Sequence, residues 1–134
     1  MALDPQYTTT PNVSADTETT ANNVYDGTGT VGTCFTAGAN GSFVGFIKLK
    51  PLGTNSSASV ARFWINNGST NATAANNFLI AESNLPATTA SASASSIDIS
   101  IPINFAIPAG YKINFALGTT CTAGWQATVV GGNY

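Results

Sequence analysis

Large apolar and small polar residues alternate along the stretch Ile97 to Leu117. Positions 97, 99, 101, 103, 105 and 107 are Ile, Ile, Ile, Ile, Phe and Ile, while Asp98, Ser100, Pro102, Asn104 and Ala106 stand between them. A two-residue period places one face against a core and predicts a β-strand. A helix would scatter the isoleucines around its axis, and Pro102 and Pro108 would break its hydrogen bonds. Beyond Pro108-Ala109-Gly110 the alternation resumes with Tyr111, Ile113, Phe115 and Leu117 inward. The spacing predicts an antiparallel partner strand and hence a hairpin with one wet face.

Shorter runs of the same kind precede and follow it. Thr30 to Thr36 reads as a strand, and Gly38-Ala39-Asn40-Gly41 as a turn before a second one from Phe43 to Lys50. There Phe43, Ile47 and Leu49 are expected to share a face with Gly45, leaving Lys48 and Lys50 outside. From Val60 to Ile65 bulk falls on both faces, so the second face is expected to meet something other than water. Phe78 to Ser83 and Trp125 to Val130 are further strands. Leu85 to Ser96, rich in Ala, Ser and Thr, reads as a long connection passing over one end of a sandwich. Residues 1–27 have little periodicity and read as an extended arm with at most one short strand, ordering on a partner. The remainder, 28–134, is expected to be one all-β antiparallel sandwich of Greek-key, jelly-roll type.

Composition sharpens this picture. Charged residues are 7% of the 134, against about 25% in an ordinary domain. With 43% hydrophobic residues the chain is a packed domain carrying a neutral, hydroxyl- and amide-rich surface, not a disordered one. Four basic residues, Lys48, Lys50, Arg62 and Lys112, are too few to neutralise a run of phosphates, so no nucleic-acid partner is expected. A net charge of −2 scarcely opposes self-association or dense packing. No apolar run approaches the about 18 residues of a membrane helix. The start of the chain resembles no export signal, so a membrane partner is not expected and synthesis in a cytoplasm is.

Candidate chemistry is sparse. There is no histidine, the usual general base near neutral pH. The six carboxylates are Asp4, Asp16, Glu18, Asp26, Glu82 and Asp98; only Glu82 and Asp98 lie in the body, with no spacing that implies an acid–base pair. Asp16 and Glu18 lack the oxygen-rich spacing of a cation loop. Catalytic residues, a metal and a cofactor are therefore not expected. Cys34 and Cys121 stand in similar surroundings, Gly32-Thr-Cys34-Phe-Thr-Ala-Gly38 and Gly118-Thr-Thr-Cys121-Thr-Ala-Gly124. Either a disulfide closing a long loop or two buried thiols fits that pattern. Tyr7, Tyr25, Tyr111, Tyr134, Trp64 and Trp125 could stack on a sugar, although packing is the commoner use of such rings.

The run Ile101-Pro-Ile-Asn-Phe-Ala-Ile-Pro-Ala-Gly-Tyr-Lys-Ile-Asn-Phe-Ala-Leu117, with Gly124-Trp-Gln-Ala-Thr-Val-Val-Gly-Gly-Asn-Tyr134, resembles small structural proteins of tailed bacteriophages, above all head decoration or cement proteins. The resemblance implies a sandwich, often trimeric, on the outer surface of a virion, binding and clamping the major capsid protein. On that reading Tyr7, Asp16, Glu18, Tyr25, Arg62 and Trp64 are the expected contacts with the capsid or with other copies in a homotrimer. A tail or head fibre component and a carbohydrate-binding surface module are the alternatives.

Overall fold

A computed structural model describes residues 7–134. The first six positions of the expected arm, Asp4 among them, lie outside the described residues. Among the described residues the strands are β1 Thr10–Glu18, β2 Gly32–Thr36, β3 Ser42–Pro51, β4 Ser59–Asn66, β5 Asn77–Leu85, β6 Ile99–Ile107, β7 Lys112–Leu117 and β8 Trp125–Asn133, with a 3-10 turn at Ala74–Asn76. They form two antiparallel four-stranded sheets, a first in the order β1-β8-β3-β6 and a second in the order β2-β7-β4-β5. Pairing is nested: β1 lies against β8, β2 against β7, β3 against β6 and β4 against β5. The chain is thus folded like one long two-stranded ribbon wrapped around a core. Among the described residues no helix is long and apolar enough to cross a membrane.

The inner faces supply the core. Val44, Ile47, Leu49, Trp125, Ala127 and Val129 of the first sheet meet Phe35, Phe63, Ile113, Phe115 and Leu117 of the second, all fully buried or nearly so. At its centre the rings of Phe63 and Phe115 stack with centroids 5.1 Å apart and planes 13° from parallel. Each such side chain contributes about 1.5–3 kcal/mol through burial, which makes this layer the main source of stability.

Three local expectations are corrected. First, β3 bulges between Val44 and Phe46 relative to both its neighbours. The extra residue at Gly45 reverses the alternation, so Val44 points inward with Ile47 and Leu49 while Phe43 and Phe46 emerge at 36% and 38% exposure. Opposite the bulge, β6 contains Asn104 at φ 56°, a left-handed conformation that asparagine tolerates better than most residues.

Second, β6 and β7 are not a hairpin. The turn at Pro108-Ala109-Gly110 carries the chain from the first sheet to the second, so β6 pairs with β3 and β7 with β2 and β4. Alternation specifies which face is apolar; it does not tell an in-sheet turn from a corner between sheets. At the edge of its sheet, β6 buries Ile99, Ile101 and Ile103 only partly, whereas Ile113 to Leu117 of the central β7 are buried on both faces. The connection between β5 and β6 does cross from the second sheet to the first, tied by backbone bonds between Asn55 and Thr88.

Third, the boundary at 27/28 falls inside the sandwich. Thr10–Glu18 pairs with β8 in unbroken register from Thr10 opposite Asn133 to Glu18 opposite Trp125, forming an edge strand of the first sheet. Its alternation is inverted in chemistry: Pro11, Val13, Ala15 and Thr17 are exposed, while Asn12, Ser14, Asp16 and Glu18 turn toward β2. Asn12 donates to the Thr36 carbonyl at 3.1 Å and Ser14 to the Cys34 carbonyl, so hydrogen bonds close this side of the sandwich where an apolar contact would be usual. Deletion of residues 1–18 is therefore expected to lower the thermal midpoint by more than about 10 °C or to abolish folding, because it strips a paired edge and unseals β2. A truncated chain melting within about 2 °C of the full one in a calorimetric scan would contradict this placement.

Candidate functional site

Two side-chain clusters gather most of the residues singled out from the sequence. The larger lies on the outer face of the second sheet. After β1 the chain crosses to that sheet, where the Asn22 amide donates to the Leu117 carbonyl at 2.8 Å and Ala21 bridges Leu117 in parallel. It then runs over β4 as a strap. The indole N–H of Trp64 donates to the Tyr25 carbonyl at 2.9 Å, and the Tyr25 ring lies over the Arg62 guanidinium, 3.9 Å from its carbon to the ring centroid. Arg62 Nη1 donates to Asn23 Oδ1 at 2.7 Å, and its Nε to Glu82 Oε1 of β5 at 2.8 Å.

Burial gives this cluster its electrostatic character. The Arg62 side chain is 7% exposed and that of Glu82 43%. A guanidinium so far removed from water needs its carboxylate, its amide and the ring face together to compensate for lost hydration. The bulk on the second face of β4 thus meets the chain's own strap. The second face expected to meet something other than water is covered from within.

Asparagine side chains hold the strap in its irregular path. Asn22 Nδ2 donates to the carbonyls of Thr28 and Thr30, Asn71 Nδ2 to those of Gly27 and Gly29, and Asn77 Nδ2 to that of Asp26. Gly27 and Gly29 adopt φ of 76° and 83°, which glycine alone takes up without strain. Asn23, Asn71 and Asn77 were not singled out in the sequence reading, and Glu82 was weighed there only as a possible pair with Asp98. The signal for Asn71 and Asn77 was the density of asparagine between β4 and β5. Two shallow depressions flank Arg62. One of about 310 Å³ is lined by Tyr25, Val60, Arg62, Glu82, Ser83 and Asn84, and one of about 250 Å³ by Asn23, Ser59, Val60, Arg62, Gly118 and Thr119 among others.

The second cluster sits where β1 faces β2. Asp16 and Glu18 project toward Gly32, and a Cβ at that position would overlap Asp16 Oδ2 and Glu18 Oε1. The missing side chain of Gly32 is the socket for the acid pair. Asp16 Oδ2 is buried without a hydrogen-bond partner. Burial raises the Glu18 carboxyl from 4.5 to about 7, reinforced by the neighbouring Asp16 carboxylate, which favours a proton on Glu18. Cys34, on the adjoining strand, is raised well above its usual value by desolvation and then by Asp16, so it is held as a thiol.

The remaining sites stand apart. Cys34 and Cys121 are unbonded and buried. The first donates to the Ile113 carbonyl and the second to that of Ser57, in different parts of the core. Cys121 is also raised, chiefly by desolvation, and the neighbouring Trp125 indole N–H is buried without a hydrogen-bond partner. Tyr7 is 79% exposed and joins neither cluster. Glu82 lies in β5 of the second sheet and Asp98 just ahead of β6 of the first, where Glu82 is bound by Arg62 and Asp98 by Lys48 at 2.9 Å. Among the described residues no group of three or more His, Cys, Asp or Glu side chains is placed to hold a metal ion.

Comparison with known proteins adds little to this geometry. No family model matches the chain, and no curated protein matches it. One solved structure, described as the structure of infectious bursal disease virus Gx strain, aligns over 100% of this chain at 16% identity with a TM-score of 0.34. The chain spans 37% of that structure's chain.

The acid pair makes stability depend on pH. Glu18 has a higher pKa folded than unfolded, so its contribution is fully present below about pH 4.5 and is lost as pH rises through about 7. Because Glu18 is partly exposed, the loss is discounted for solvent screening to about 1–2 kcal/mol. Glu18→Gln is expected to stabilise the protein by about 1 kcal/mol at pH 8 and to change little at pH 4. Urea titrations at the two pH values check this; an identical shift at both would contradict a shared proton at the seam.

Proposed function

We propose that this chain is a non-enzymatic virion structural protein built as a jelly roll, a decoration or cement protein that seats on the outer surface of a capsid lattice and binds the major capsid protein. The jelly-roll reading is supported by the nested pairing of β1 with β8, β2 with β7, β3 with β6 and β4 with β5.

The observation that carries the functional reading is the internal disposal of charge. Of the four cationic side chains, Lys48 pairs with Asp98, Arg62 pairs with Glu82, and Lys50 donates to the carbonyls of Ser96 and Ile97. What faces outward therefore carries almost no field. Such a surface gains nothing from steering a charged ligand, and it lets many copies pack closely at fixed points of a lattice without mutual repulsion. Titratable side chains serve as cross-ties within the fold: Arg62 and Glu82 fasten the strap, and Asp16 and Glu18 fill the seam.

A carbohydrate-binding module is the second reading, favoured by the depression beside Tyr25, where an exposed ring adjoins Glu82, Ser83 and Asn84. Cryo-electron microscopy of purified virions from the source of this sequence separates the two. The structural reading expects an eight-stranded slab repeated on the outside of the shell. Particles without such density, together with glycan-array binding that Tyr25→Ala abolishes, would replace it with the second.

A further inference from the structure

The outer face of the first sheet carries exposed apolar residues that strand register makes continuous. Val13 of β1 lies opposite Val130 of β8, which lies opposite Phe46 of β3, which lies opposite Pro102 of β6. One step along the strands, Pro11, Gly132, Phe43 and Ala106 form a second row across the same four strands. Val13 is 59% exposed, Phe46 38% and Phe43 36%. The bulge at Gly45 creates this surface by placing both phenylalanines outside. On the second sheet the strap covers Arg62 and Trp64 of β4 instead.

We propose that a second copy of this chain docks here, face to face, with Phe43 and Phe46 at the centre of the contact. The idea does not depend on the virion reading. Charge is the first argument. A two-fold contact brings each residue near its own equivalent, so an unpaired charge would face itself. On this face Lys48 is neutralised by Asp98 at 2.9 Å and Lys50 is occupied by two backbone carbonyls, and both lie beyond the apolar rows.

Size is the second argument. Four strands about 4.8 Å apart and about 30 Å long give a face on the order of 500 Å² in projection, which side-chain relief brings near the about 600 Å² per partner of the smaller specific interfaces. A copy laid on the whole face therefore associates weakly, in the micromolar range or above, with the apolar rows as its dry centre.

The edges supply the third argument. β1 and β6 are the two free edges of this sheet, and β1 carries Pro11 while β6 carries Pro102 and the left-handed Asn104. Neither offers an unbroken ladder to a neighbour's strand, so copies are turned from edge pairing to face pairing.

Sedimentation equilibrium on the full chain tests this with Phe46→Glu and Phe46→Lys. Both changes lie on the solvent side, and circular dichroism checks that each variant is folded. The wild type is expected to show a reversible dimer as concentration rises, each variant alone to associate at least about tenfold more weakly, and their mixture to recover the wild-type affinity. A wild type that stays monomeric to about 1 mM overturns the proposal and leaves the face to another partner. So do variants that associate as tightly as the wild type. Weakened variants whose mixture recovers nothing overturn the two-fold geometry.

Discussion

Trp64 and Arg62 stand on the outer side of β4, where a four-stranded sheet ordinarily meets water, yet both are almost fully buried. An exposed indole would waste one of the largest apolar surfaces in the chain, and a buried guanidinium without partners would be a heavy penalty. The fold meets both demands by laying Asn22 to Gly29 across them. For the strap to reach that position, β1 must lie beside β8 and the chain must then cross from the first sheet to the second. The placement of the N-terminal quarter thus follows from what β4 carries on its second face.

The chemistry that holds this arrangement together is amide chemistry. An irregular strap has backbone groups with no ladder to join, and burying them unpaired would cost about as much per group as a lost hydrogen bond. Asn22, Asn71 and Asn77 reach those carbonyls from three different places, while Asn12 and Ser14 do the same for β2 across the seam. A chain with so few charges has its polar capacity in asparagine, serine and threonine, and spends much of it inside the fold. The low charge and the high amide content are two sides of one design: neutral groups satisfy buried backbone without the desolvation penalty of ions.

The strands of the body were legible because they carry their alternation in large apolar side chains. The seven runs recognised between Thr30 and Val130 match β2 to β8 within a few residues, and the composition of an all-β sandwich was plain. What failed to show was anything written in small or polar letters. The alternation of β1 is regular, but its inward residues are Asn12, Ser14, Asp16 and Glu18, which read as loop. The bulge at Gly45 shifts a face by one residue and leaves no mark beyond a glycine. The corner at Pro108 to Gly110 looks like a hairpin because pairing is a tertiary property. Of the candidate site, Tyr25, Arg62 and Trp64 were picked out and do meet, but the reading of β4 as a contact between copies missed that the chain's own strap could fill the place.

The claim on which the rest turns is that residues 10–30 are part of the folded domain in the isolated protein. Amide hydrogen exchange measures it directly. The account predicts that the ladder amides of β1 and the Asn22 amide are protected to within about 1–2 kcal/mol of the slowest core amides in β3 and β8, since they open only when the sandwich does. Exchange of those amides within seconds, while β3 and β8 stay protected, would show an arm that orders only on a partner and would contradict the account.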